Sequence, residues 1–365
     1  MNMDFLRYKS RFITITLILG YAYLHFVLTR TFVETPFDQV LHFSVRFPYA
    51  QRILIPLLVY PFSWLPVQPQ NLFFMAEWLF TTLMYYGVYV LLRTEFSIRE
   101  SRLLSWLFIL ILPLVTVINY RFTVGAHATF FYPADTPTIL FTAIGLFWCL
   151  RARWIYYIPL VFFATLNRES AVLLVLLIPV LNWQRIKEVS KPLIFSFLAY
   201  LSARIIILYF LRGTSGKLIE WNAFKTNYTH FEVNLNWLFS DLNLLLFCFC
   251  FAGLPLFWFA FHDYIPRIYR PLRYLIALYF VGLLLVGNFI EARIFGELIV
   301  LLYFPVCCAI RNWLAELNIL PENQRSKNFL FYLNRYAILA VFACIIIFQS
   351  LLNQALLWCL HHFLA

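Results

Sequence analysis

Charge is scarce in this chain. Only 12% of its 365 residues are Asp, Glu, Lys or Arg, against 63% hydrophobic, roughly half the charged fraction of soluble domains, and this excludes an ordinary water-soluble enzyme. No Gly/Ser-rich linker and no internal repeat separates one part from another, so residues 1–365 read as a single integral membrane domain. No A-x-A cleavage site follows the apolar run behind "MNMDFLRYKSR", which points to an uncleaved first span instead of a signal peptide. The seven cysteines lie in or beside apolar runs with no histidine at zinc-finger spacing, which makes them packing residues. A basic stripe is also missing. The net charge of +11 comes from residues scattered between apolar runs, so no nucleic-acid partner is expected.

What is present is a series of apolar runs suited to a hydrocarbon core of ~30 Å. The expected fold is therefore all-α, a polytopic membrane protein with the lipid bilayer as its first partner. Segments 1–11, 93–102, 151–153, 184–191, 262–273 and 311–335 hold 18 of the 28 Lys/Arg, which makes them cytoplasmic by the positive-inside rule. That assignment leaves spans at roughly 12–29, 71–92, 103–118, 136–150, 192–211, 243–261, 273–289, 294–310 and 336–358, together with a short helical hairpin at 154–183. About eleven transmembrane helices result, with the N-terminus cytoplasmic and the C-terminus outside. The first outer loop, 30–70, contains a segment, 52–66, whose Pro56, Pro61 and Pro66 suit an interfacial or re-entrant helix better than a span. A second, large outer loop covers 212–242.

Ionisable residues inside this apolar sequence group on one side. Glu34, Asp38, His42 and Arg52 belong to the first outer loop, and His127 and Asp135 to the loop before the fourth span. The hairpin tip, "NRES", carries Arg168 and Glu169, while "GNFIEARIFGEL" carries Glu291, Arg293 and Glu297. Each such group costs about 2.5–3.5 kcal/mol or more at membrane depth, so their convergence implies a polar cavity. Helical spacing would align Glu34, Asp38 and His42, and oxygen ligands there suit a hard divalent ion, although Pro36 interrupts the first step. Bland readings stand beside these: Arg168 with Glu169, or Glu291 with Arg293, as structural clasps, Asp135 as a helix N-cap, and the histidines as interfacial residues.

Taken in order, "TPFDQV", "FPYAQRILIPLL", "YPADTPTILF", "LNRESA" and "GNFIEARIFGEL" resemble bacterial multi-pass proteins of the GT-C type over about residues 1–310. Members of that superfamily are membrane glycosyltransferases that use polyprenyl-phosphate-linked sugars. The resemblance implies a bacterial inner-membrane protein that transfers a sugar to a glycan, lipid or protein acceptor of the cell envelope. It places the general base at Asp38, with Glu34 and His42 assisting, and makes Asp38 and Glu34 candidate ligands of a divalent metal, Mg or Mn. Adjacent paired acids, common in the superfamily, are absent here. Arg52, Arg168, Glu169, Asp135, Glu291, Arg293 and His127 are then the candidates for binding the donor phosphate and substrate, since guanidinium groups hold phosphate oxygens in bidentate fashion. A membrane transporter or flippase is the competing reading. Another lipid-linked envelope enzyme, or an assembly subunit without chemistry, follows behind it.

Overall fold

Helices form where the apolar runs lie, and specific residues set their ends. The computed structural model describes residues 3–118, 129–222, 228–289, 291–315 and 329–363. Its first elements are helix α1 (Met3–Leu28), strand β1 (Thr29–Thr31) and the short helices α2 (Phe37–Leu41) and α3 (Leu54–Val59). Two long helices follow. One is α4 (Pro69–Leu92), started by a proline in its first turn; the other is α5 (Ile98–Pro113), started by a capping box in which Ser97 and Glu100 each bond the other's backbone N–H. Strand β2 (Thr129–Phe131) leads into α6 (Asp135–Leu150), the hairpin α7 (Trp154–Asn167) and α8 (Val172–Leu181), and then α9 (Ser190–Phe210). The remainder is α10 (His230–Phe239), α11 (Asn243–Cys250), α12 (Leu254–Ala260), α13 (Leu272–Val286), α14 (Gly296–Leu314), α15 (Phe329–Ile347) and α16 (Gln349–Phe363).

The protein is an all-α polytopic membrane protein with one small addition, the parallel pairing of β1 with β2. Among the described residues, five helices are long and apolar enough to cross a membrane, or seven if each of two bent pairs forms one span, and four apolar helices are shorter. Buried residues make up 94% of the apolar window of α14 but only 17% in α9 and 22% in α1, which puts α14 at the centre and the other two against lipid. Helix α6 packs on α4, α7 and α14, so its first turn sits inside the bundle.

Two expected spans prove to be broken. Residues 243–261 do not form one helix: Ala252 and Gly253 both take left-handed backbone angles and separate α11 from α12. Helix α11 pairs instead with α10, across a 97° bend at which Asp241 is also left-handed. The expected span 336–358 bends by 75° between α15 and α16. Segment 52–66 forms no long helix: α3 has only six residues and runs into the 3-10 turn Tyr60–Phe62. It buries Ile55 and Val59 against Leu72 and Phe73 while Leu57, Leu58 and Trp64 stay exposed.

Residues 30–70 and part of the 212–242 segment form a cover over one end of the bundle. Phe47 N–H donates to the Ser215 carbonyl (2.8 Å), Gln51 Nε2 to the Leu218 carbonyl (2.9 Å), and Arg46 bridges Glu34 and Glu220. Gly216 lies at φ +102°, where a Cβ would stand 2.6 Å from the Phe47 carbonyl oxygen. Gly213 has a similar angle but nothing within 4 Å. Gly216→Ala should therefore lower the melting temperature in detergent more than Gly213→Ala does. The backbone angle alone costs about 1–3 kcal/mol in both variants, and the collision adds to it only at Gly216. Equal melting temperatures would show that the cover does not depend on this approach.

Candidate functional site

Three helix N-termini meet beneath the cover, and each carries a carboxylate in its first turn. Asp135 opens α6, Glu297 lies in the first turn of α14, and Glu169 opens the 3-10 turn Glu169–Ala171 that leads into α8. The positive ends of these helices favour anions there. The hairpin tip is made by a break at Arg168, whose backbone is extended (φ −159°, ψ 142°) between α7 and the 3-10 turn. Asn167 fixes the tip to α6 by donating to the Ala134 carbonyl (2.9 Å) and to Thr138 Oγ1 (2.8 Å). The "NRES" stretch is thereby held against the first turn of α6.

Asp135 is 3% exposed and takes two arginines. Arg293 Nη1 lies 3.1 Å from its Oδ2, and Arg168 Nη1 lies 3.4 Å from its Oδ1. Arg293 Nη2 also bonds Glu291, and Arg168 lies 3.8 Å from Glu297, which accepts a hydrogen bond from Ser170 Oγ. Arg293 stacks on the Tyr132 ring at 3.8 Å from its centroid.

A second tier lies beside this one, and it is more open. Arg52 approaches the same Tyr132 ring (5.4 Å) and Glu169 (3.5 Å), whose side chain is partly exposed. Arg204 donates to Gln51 Oε1, and Tyr200 donates to the Glu169 backbone carbonyl (3.2 Å). Three buried guanidinium N–H groups, Arg52 Nε, Arg204 Nη1 and Arg293 Nε, have no acceptor among the described residues, and Glu169 Oε2 has no donor. Buried polar atoms are ordinarily paired, so this clustering of unused donors marks the site. Tyr49 and Tyr132, about 6.1 Å apart, line it. Burial raises the hydroxyl of Tyr49, helped by Tyr132 and Glu220, and burial raises Tyr132 against the opposing pull of Arg293 and Arg52. Both phenols therefore remain protonated.

Six of the expected site residues, Arg52, Asp135, Arg168, Glu169, Glu291 and Arg293, are thus brought together. Of the two clasp readings, Glu291 with Arg293 is present, whereas Arg168 pairs with Asp135 and Glu297 and Glu169 pairs with Arg52. Asp135 is not an N-cap, because Ala134 occupies that position without a side-chain cap, and the Asp135 carboxylate points to arginine.

The expected acidic constellation of the first outer loop is not assembled. Helix α2 begins only at Phe37, so Glu34 is outside it and pairs with Arg46. Asp38 is 75% exposed at its side chain and faces His42, whose Nδ1 lies 3.5 Å from Oδ1. These residues do not fit a divalent metal: no group of three or more His, Cys, Asp or Glu among the described residues is arranged to hold one. His127 lies outside the described residues.

Some polar residues escaped the sequence reading. His25 and Glu77 form a buried pair (Nδ1 to Oε1, 2.9 Å), and Thr136 Oγ1 donates to the same Glu77 oxygen (2.7 Å), tying the pair to the first turn of α6. Each is the sole ionisable group in an apolar stretch, "GYAYLHFVL" and "FFMAEWLF". An isolated charge in a span is itself a signal, because it needs a partner from another span. Arg204, the one charge in "LSARIIILYF", shows the same pattern. The chain matches no protein-family model, no curated protein and no solved structure.

The His25–Glu77 pair yields a direct expectation. His25→Leu or Glu77→Leu alone should destabilise the protein by about 3–5 kcal/mol, because each strands its partner in the core, whereas the double replacement should recover most of that loss. Denaturation by SDS titration from detergent micelles measures it. A double variant as unstable as the sum of the singles would show that the two residues do not act as a pair.

Proposed function

We propose that this chain is a glycosyltransferase of the cell envelope, moving a sugar from a polyprenyl-phosphate donor to a glycan, lipid or protein acceptor on the non-cytoplasmic face of a bacterial inner membrane. The observation that carries this reading is the set of unused guanidinium donors where the two tiers meet. Arg52, Arg204 and Arg293 present unused N–H donors around an aromatic surface at one end of a membrane bundle, and phosphate oxygens are the acceptors that guanidinium groups fit best. In the same reading the four shorter apolar helices also cross, which brings the seven longer spans to the eleven expected and sets the N-terminus inside and the C-terminus outside. The basic residues of segments 93–102, 151–153 and 262–273 then lie at the cytoplasmic end, opposite the arginine network.

In this chemistry the acceptor hydroxyl oxygen attacks the anomeric carbon as the bond to the phosphate oxygen breaks. The phosphate leaves with the bonding electrons, and the hydroxyl proton passes to a carboxylate. A single displacement of this kind inverts the anomeric configuration. Arg52 and Arg293 stabilise the charge that grows on the departing phosphate. Glu169, bound to Arg52, orients that cation. Asp38, exposed beside His42, takes the role of proton acceptor that the GT-C resemblance assigns to it.

The test is sugar transfer by the purified protein in detergent, from a polyprenyl-phosphate-linked sugar, read as a new glycosidic product. Arg52→Lys should fall by about a hundredfold despite keeping its charge, since a point ammonium does not reproduce the planar fork. Asp38→Asn should fold normally and lose most turnover. Movement of the lipid-linked sugar across vesicles with no new glycosidic bond would establish a transporter or flippase instead, and near-normal turnover in Asp38→Asn would remove that residue from the base role.

A further inference from the structure

A sizeable cavity lies on the other side of Phe295 from the arginine network. It has a volume of about 550 Å³ and is lined by apolar side chains, among them Leu238, Phe247, Trp258, Phe280, Leu302 and Phe342. It follows α13 from Arg273 to Leu284, a length of about 16 Å at the rise of an α-helix. At one end the lining turns polar: Arg273 and His262 meet there, with Nη1 and Nε2 3.3 Å apart, and Arg273 Nη2 donates to Tyr274 (2.8 Å). Toward the other end, Phe295 lines the cavity just two residues from Arg293.

This arrangement is amphiphilic in a definite direction. The apolar length suits hydrocarbon, and the charged end suits an anion, because Arg273 is the second residue of α13 and stands where the helix N-terminus adds its own positive field. The surrounding segment 262–273 carries three arginines against one aspartate. Glu291 and Arg293 follow the opposite end of the same helix, so the anion end and the arginine network are separated by the length of α13. A lipid donor serving the network would need its phosphate at that far end. The ligand here therefore has its headgroup in the opposite leaflet.

We propose that this cavity holds one acyl chain of an acidic phospholipid, with its phosphate against Arg273 and the first turn of α13. The site is independent of the glycosyl-transfer reading and stands whether or not that reading does. The chain tip would lie under Phe295, which packs on Phe289 (5.0 Å) and Phe247 (5.2 Å) directly beside the Arg293 turn. The lipid would thus help to shape the floor beneath the network.

The experiment is native mass spectrometry of the purified full-length protein after exchange into mixed micelles containing phosphatidylglycerol and phosphatidylcholine in equal amounts. One phosphatidylglycerol should remain bound in preference to phosphatidylcholine. Arg273→Ala should reduce its retention about fivefold, and Ala277→Phe, which fills the cavity, should abolish it. A readout on the unaltered protein guards against misfolding of either variant: phosphatidylglycerol with brominated chains should quench the fluorescence of the buried Trp258 more than phosphatidylcholine with the same chains, and the excess should vanish in Trp258→Phe. Equal retention of the two lipids, retention unchanged in a folded Ala277→Phe, or preferential capture of an added polyprenyl phosphate would each overturn the proposal.

Discussion

Asp135 is the acceptor on which two buried arginines depend. Arg293 comes from the turn before α14 and Arg168 from the hairpin tip, so one carboxylate on α6 ties three parts of the bundle together. An unpaired guanidinium in this environment would cost several kcal/mol, which leaves little freedom for the hairpin to dock elsewhere. The break at Arg168, the orientation of Glu169 toward Arg52 and the stacking of Tyr132 under Arg293 are consequences of that constraint. The position of Asp135 follows from α6 starting inside the bundle, where its first turn also reaches Glu77 through Thr136.

The two tiers of charge play different parts. The inner one, Asp135 with Arg168, Arg293, Glu291 and Glu297, is mostly buried and satisfies most of its own charge, leaving Arg293 Nε and Glu297 Oε2 without a partner among the described residues. The outer one, Arg52, Arg204 and Glu169, has partners but retains unused donors. A buried inner tier thus backs a more exposed outer one. The cover of the first outer loop and residues 215–222 stands above both, held by the bonds from Phe47 and Gln51 and by the Arg46 bridge.

Much of this site was legible in the sequence because ionisable residues are so costly in apolar surroundings. "NRES" and "FIEARIFGEL" announced themselves by contrast with their flanks, and Arg52 by its place before a proline-bearing segment. Which carboxylate meets which arginine was not legible, since that depends on how α6, α8 and α14 pack and not on spacing along the chain. The spacing of Glu34, Asp38 and His42 misled for a related reason: Pro36 delays the start of α2, and Arg46 then claims Glu34. The breaks in 243–261 and at the α15–α16 bend were hidden inside apolar runs, where hydropathy is blind to the left-handed angles of Ala252 and Gly253.

The account rests most heavily on Asp135 as the shared partner of buried arginines, and a mutant cycle measures that directly. Asp135→Asn, Arg293→Met and the double variant would be compared by SDS titration from detergent micelles. Asp135→Asn alone should lose about 3–5 kcal/mol of stability by leaving two buried cations without the carboxylate they share, with only Glu291 and Glu297 remaining to them, and Arg293→Met added to it should restore part of that loss. Wild-type stability in Asp135→Asn, or strictly additive losses in the double variant, would contradict the account.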